Sequence, residues 1–276
     1  ELLKNLFNRK DISHRELFGN IKNIISHQIL SKLSSNEFEL FNDKDFVSLT
    51  KDNELSKALS LLIFCSPLWE KTLINIRRLM LLNYSEDKKI DKTIFNFTTA
   101  LGSQCFLNEY IYYISKEEEI RLEKLKNSIN SNKNQDYKLA LISCYLPLSS
   151  IDHNTIDLNS YASNNKEFNK LLNLQFRDRI IEQEISIKIK KSGCIYDLTS
   201  KEVKSQYESN PYPRWRYNLY AKENKVNFLS VISSEIYPNK IQFAQNKLTS
   251  KKINILIAGC GTGIQILEAS RYSNCE

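Results

Sequence analysis

The chain has 276 residues, 41% of them hydrophobic and 26% charged, which excludes general disorder and predicts a buried core. The formal charge of +7 comes from 39 Lys and Arg against 32 Asp and Glu, interspersed along the chain, so a nucleic-acid footprint is not indicated. The six cysteines contain no C-x-x-C pair and the three histidines are scattered, which argues against a zinc site and for free thiols in a reducing, cytoplasmic setting. No apolar run approaches the ~18 residues that cross a bilayer, and no membrane association is expected.

Residues 1 to about 190 read as helices. Ser13 and Glu16 form a capping-box pattern before Leu17, Ile21, Ile24, Ile25, Ile29 and Leu33 at helical spacing. Asp52 caps a helix carrying Leu55, Leu59, Leu62 and Ile63. Ser66-Pro67 starts the next, with Leu68, Leu73, Ile76, Leu79 and Met80 toward its buried side. The short link predicts that these two helices form an antiparallel hairpin. Asp91 opens a longer pattern through Phe97, Leu101, Cys105 and Ile111, which passes into a charged helix from Lys116 to about Asn130. A polar break at Ser131–Asn134 precedes a helix from Gln135 to Leu146. A polar loop then leads to a helix over Glu167–Lys190, closed by Ser192-Gly193 as a C-cap. Helix-hairpin stacking is plausible, but the ~34-residue tetratricopeptide signature is absent.

From Thr199 the character changes. Thr199 and Glu202 suggest a second capping box, and Asn210-Pro211-Tyr212-Pro213 forces extended or turn backbone. Val226–Tyr237 is apolar and ambiguous between helix and strand. Ile253–Ala258 is short, apolar and β-branched, and reads as a buried parallel strand. Of six glycines in the chain, Gly259, Gly261 and Gly263 follow immediately, and Ile264–Arg271 reads as a helix. Strand, glycine turn and helix make the first βα unit of a nucleotide-binding sheet. The G-x-G-x-G spacing lacks the third glycine of a dinucleotide fingerprint, and no Gly-Lys-Ser/Thr marks a P-loop.

Ile255-Leu256-Ile257-Ala258-Gly259-Cys260-Gly261-Thr262-Gly263 resembles motif I of the class I S-adenosylmethionine-dependent methyltransferases. Ile257 departs from that motif, which often carries an acid there. Tyr207-Glu208-Ser209-Asn210-Pro211-Tyr212-Pro213-Arg214-Trp215 resembles the Y-E-x-N-P-Y-P-R-W signature of a bacterial group of methyltransferase-domain proteins with a helical, tetratricopeptide-associated N-terminal region. Gln104-Cys105-Phe106-Leu107-Asn108-Glu109-Tyr110 looks like the Q-C-F-x-N-E-Y stretch of that helical region.

The resemblance implies a mainly α N-terminal region followed by the start of a Rossmann-like α/β methyltransferase domain. The divisions would be a helical region at 1–198, a connecting segment at 199–250 and a first βα unit at 251–276. S-adenosylmethionine would lie against Ala258, Gly259, Cys260, Gly261, Thr262 and Gly263. Tyr207, Arg214 or Trp215 would cover it, through cation–π contact with the sulfonium or an Arg–carboxylate pair; the rival reading has the prolines setting a turn that Trp215 anchors in the core. The ribose-binding acid, later strands and substrate contacts are expected beyond residue 276. The chain therefore reads as a C-terminally truncated fragment, inactive and poor at binding cofactor by itself. The methyl acceptor is unidentified. Alternatives are a helical protein-interaction module attached to a methyltransferase domain, or another Rossmann-type nucleotide-binding enzyme.

Overall fold

The computed structural model describes residues 2–9, 12, 14–35, 39–130, 133–152, 156–190, 193, 195–209, 225–239 and 254–273. In chain order come α1 (Leu2–Asn8), a 3-10 turn (His14–Leu17), α2 (Phe18–Ile21), α3 (His27–Leu33), α4 (Lys44–Lys51), α5 (Asn53–Leu61) and α6 (Pro67–Leu82). α7 (Lys92–Leu107), α8 (Lys116–Asn127), α9 (Gln135–Ile142), a short 3-10 turn (Leu148–Ser150), α10 (Lys166–Leu172), a π turn (Asn173–Arg177) and α11 (Asp178–Lys188) follow. The remainder holds α12 (Leu198–Ser209), β1 (Val226–Asn227), α13 (Phe228–Glu235), α14 (Ile264–Ala269) and β2 (Tyr272–Ser273). The protein is mainly helical. It divides into two compact units, Glu1–Phe7 with Arg15–Lys190, and Asn8–His14 with Lys191–Glu276.

The first unit is built around α7. This helix packs against α4, α5, α9 and α10, and is buried around its circumference from Phe97 to Cys105, as a central core helix must be. Gly102 permits the closest of these approaches: a Cβ there would collide with Ser143 Oγ and meet Leu171 at 3.4 Å. Gln175, carried by the π turn, seals the same seam. Its amide donates to Gly102 O (2.9 Å) and Ser143 O (3.2 Å), and its oxygen accepts from Leu148 N (3.2 Å). Burying an amide is tolerable because these partners take its hydrogen bonds.

Several predicted starts form as expected. Asp52 accepts from Glu54 N and Leu55 N, both at 2.9 Å, and Asp91 accepts from Thr93 N at 2.7 Å. Pro67 occupies the first turn of α6. Other expectations are corrected. The pattern from Leu17 to Leu33 is interrupted after α2, because Ser26 starts a new helix and accepts from Ile29 N at 3.3 Å. α5 and α6 choose other partners than each other: α5 lies on α7, and α6 lies on α3 and α8. The long pattern from Asp91 breaks at Glu109 and Tyr110, which adopt left-handed φ of 60° and 57°. α8 then begins from its own capping box, Ser115 with Glu118. Gly193 is left-handed (φ 77°) but lies past the end of α11 at Lys188, so it does not cap that helix. Asp197 rather than Thr199 opens α12, accepting from Ser200 N at 2.8 Å.

In the second unit, Val226–Tyr237 resolves into β1 and α13. β1 and β2 pair in parallel, Val226 with Tyr272 and Asn227 with Ser273. The stretch expected as a buried strand, 253–258, is described from Asn254 onward and is not paired into a sheet; Leu256 is 92% exposed. A buried parallel strand needs neighbours along its edges and cover on both faces, and the described residues supply neither to it.

Candidate functional site

The glycine loop is formed as a turn. Gly259, Gly261 and Gly263 all take positive φ, at 67°, 51° and 86°. Residues with a Cβ reach that region only at a cost of roughly 1–2 kcal/mol each. A Cβ on Gly259 would meet nothing within 4 Å, and on Gly263 only Ile266 Cδ1 at 3.9 Å. Gly259 and Gly263 are thus required by backbone conformation and not by crowding. Gly263 N donates to Cys260 O at 2.8 Å, closing the turn, and Gly263 is the residue from which α14 starts. Ala258, Gly259 and Gly261 are exposed, while Cys260, Thr262 and Gly263 are half-buried. The loop therefore presents bare backbone at the surface, a form that suits close approach of a ligand.

The structure assembles only part of the site expected from sequence. Tyr207 stands on α12 with 66% of its surface exposed. Among the described residues no hydrogen bond, ion pair or ring contact joins it to the loop. Arg214 and Trp215 lie outside the described residues. No three His, Cys, Asp or Glu side chains gather as metal ligands among the described residues, and no described helix is long and apolar enough to cross a membrane.

Sequence reasoning missed a buried polar cluster inside the first unit. Arg77 on α6 and Glu118 on α8 are each only 1% exposed, with Arg77 Nη2 at 3.6 Å from Glu118 Oε1. Arg77 also donates to Tyr113 O (2.6 Å) and Cys144 O (3.4 Å), and its guanidinium lies 4.3 Å from the Tyr145 ring centre. The Tyr145 hydroxyl donates to Glu118 Oε1 at 2.9 Å, while Glu118 Oε2 accepts from Ser115 N and Oγ, both at 2.9 Å. One carboxylate therefore caps α8 and neutralises a core arginine. Burial, with Glu118 adding to it, holds the Tyr145 hydroxyl well above the ordinary tyrosine value. The signal was present as S-x-x-E at Ser115–Glu118, but the expected continuous helix through that point concealed it.

Two residues of the Gln104–Tyr110 stretch make bonds that hold the local backbone. In the orientation that satisfies its neighbours, the buried Gln104 amide donates to Leu59 O (3.3 Å) and Leu62 O (2.6 Å), closing the end of α5. Asn108 Oδ1 accepts from Tyr110 N at 3.2 Å across the left-handed pair that reverses the chain.

A separate cleft of about 510 Å³ is lined in part by Lys92, Phe95, Asn134, Asp136, Tyr137 and Tyr161. The Asp136 carboxylate is already taken by the hydroxyls of Tyr161 and Ser163, so the cleft's acid serves to tie the 157–165 loop to α9. No protein-family model, no curated protein and no solved structure matches the chain.

Proposed function

We propose that this protein is an S-adenosylmethionine-dependent methyltransferase whose cofactor loop is residues 258–263, attached to a helical domain. The observation that supports the reading is the coincidence of three left-handed glycines with G-x-G-x-G spacing. In this reading Ala258, Gly259, Cys260, Gly261, Thr262 and Gly263 offer backbone to the methionine part of the cofactor. Tyr207, Arg214 and Trp215 are the proposed cover. When bound, S-adenosylmethionine supplies the methyl group for an in-line displacement. The protein's work is then alignment and exclusion of water, and a general base is needed only for a protonated acceptor. The Rossmann-like sheet, its ribose-binding acid and the acceptor site belong to this proposal.

Isothermal titration tests it. The protein lengthened through a full parallel sheet is expected to bind S-adenosylmethionine at micromolar strength, and residues 1–276 to bind it poorly. Gly261→Ala in the lengthened protein is expected to weaken binding about tenfold, the equivalent of the left-handed strain. Absence of binding by the lengthened protein overturns the proposal.

A second reading, a protein-interaction role for the helical unit, is supported by α11. This helix buries none of its residues and leaves Ile181 and Ile185 52% and 51% exposed.

A further inference from the structure

The cleft of about 510 Å³ lies where the start of α7 and the residues before it meet the start of α9, with the 157–165 loop as its third side. Its walls are cross-tied. Asn134 Nδ2 donates to Glu86 O (3.1 Å) and Lys88 O (3.3 Å), which fixes the segment before α7 to the start of α9. The loop is held from three sides. Asp136 accepts from the Tyr161 and Ser163 hydroxyls, Arg177 Nη2 donates to Tyr161 O (2.6 Å), and Asn165 Nδ2 donates to Asn96 Oδ1 on α7 (2.9 Å). A space of this volume with its walls already in place suits a small organic ligand.

The lining residues sort into two kinds. Ile90, Phe95, Tyr137 and Tyr161 make an apolar, mostly aromatic surface. Phe95 is anchored by its neighbours, with ring centres 6.4 Å from Tyr137 and 5.5 Å from Phe168. Most of the polar lining is already spent inside the protein: the Asp136 carboxylate on two hydroxyls, the Asn134 amide on two carbonyls, and Gln135 Nε2 on Ile129 O at 3.3 Å. Lys92 is the exception. It lines the cleft, is exposed, and has no hydrogen-bond or ion-pair partner among the described residues. Aromatic walls beside one uncommitted cation select a ligand that is flat and apolar at one end and anionic at the other. A cationic ligand is disfavoured, because the acid in the lining is already bonded and Lys92 repels a second positive charge. We propose that this cleft binds a small aromatic carboxylate, with its ring among Phe95, Tyr137 and Tyr161 and its carboxylate paired with Lys92. The site shares no residue with the loop at 258–263, and binding there is independent of methyl transfer. Because Lys92 is exposed, its charge adds preference for the anion more than overall affinity.

Titration of the full 276-residue chain with 2-naphthoate, followed by methyl NMR of isoleucine-labelled protein, tests this. Saturable binding with a Kd of about 1 mM or tighter is expected, as for a ligand of this size at ordinary efficiency. The largest shift should fall on Ile90, which lines the cleft and whose signal Ile90→Val identifies, while Ile185 on α11 should not move. Two probes separate ring from charge. 2-Naphthamide keeps the ring and loses the charge, and cyclohexanecarboxylate keeps the charge and loses the ring; each should bind about fivefold more weakly or worse. Lys92→Met should reduce naphthoate to the affinity of naphthamide, with an unchanged melting temperature because Lys92 is exposed. Four results overturn the proposal: no saturable binding of naphthoate, equal affinity for naphthoate and naphthamide, a largest shift away from Ile90, or an undiminished preference for naphthoate in Lys92→Met.

Discussion

The two units are held by different kinds of force. The helical unit buries apolar side chains from Phe7 to Phe176, with Trp69, Phe46, Phe97 and Phe168 among the largest. It also encloses the Arg77–Glu118 pair and the Gln175 amide, whose nitrogen and oxygen both find partners. Beyond Phe176 no described residue is buried. There, the order that is visible is local: Asp197 starting α12, the glycines shaping the 259–263 loop and a two-residue parallel pairing. Packing specifies structure through many distant partners at once, whereas caps and glycine turns specify it over a few residues. The same substitution should therefore cost far more in the first unit than in the second.

The largest effect is expected where the core is deepest. Trp69 is 1% exposed, stacks edge-on against Phe64 at 5.0 Å and donates to Lys22 O at 3.0 Å. Trp69→Ala should lower unfolding free energy by about 3–5 kcal/mol, read by urea denaturation. A loss below about 1 kcal/mol would mean that the helical unit is not packed as described. Arg77→Met should cost about 3–5 kcal/mol, because it leaves the Glu118 charge buried beside Tyr145. Arg77→Met with Glu118→Gln should recover part of that loss, and strict additivity in the double-mutant cycle would show that the two do not interact.

The buried tyrosines sharpen the contrast through pH. Burial raises Tyr84 to about 12, and raises Tyr112, Tyr137 and Tyr145 further above the ordinary value. In the unfolded chain such groups ionise near ~10. Their contribution is complete below that pH. Above it the unfolded state binds fewer protons than the folded one, so stability falls as pH rises toward the folded values. Urea midpoints should decline between about pH 9 and about pH 11.5, together with the phenolate absorbance of unfolding; a flat midpoint would contradict the burial of these rings.

Smaller effects follow at the local devices. Asp52→Ala removes an acceptor for two backbone N–H groups and should cost about 1 kcal/mol. Ile185→Ser, on a face of α11 that buries nothing, should stay within about 0.5 kcal/mol of the parent. A larger loss there would show that something covers the helix.

Much of the helical unit was legible because its signals are local. Asp52, Asp91 and Pro67 mark helix starts through their own backbone chemistry, wherever the helices later go. The Leu17–Leu33 pattern misled because apolar spacing persists across a break that Ser26 alone announces. The turn at Glu109 and Tyr110 was hidden for the opposite reason: neither residue ordinarily favours left-handed backbone, and Asn108 with the surrounding packing holds it. The loop at 259–263 was legible from glycine spacing, since only glycine takes three such conformations in five residues without strain.

By itself, the sequence determined a helical first part, where most of its helices begin, and a glycine turn near residue 260. Only the tertiary structure decided which helices pair, that α7 is the centre, and that Arg77, Glu118 and Tyr145 share one buried site. The physical reason is range. A cap or a left-handed glycine acts within about four residues, but partner choice depends on shape and burial between segments far apart in the chain. Gly102 against Ser143 and Leu171, or Arg77 against Glu118, has no trace in local spacing.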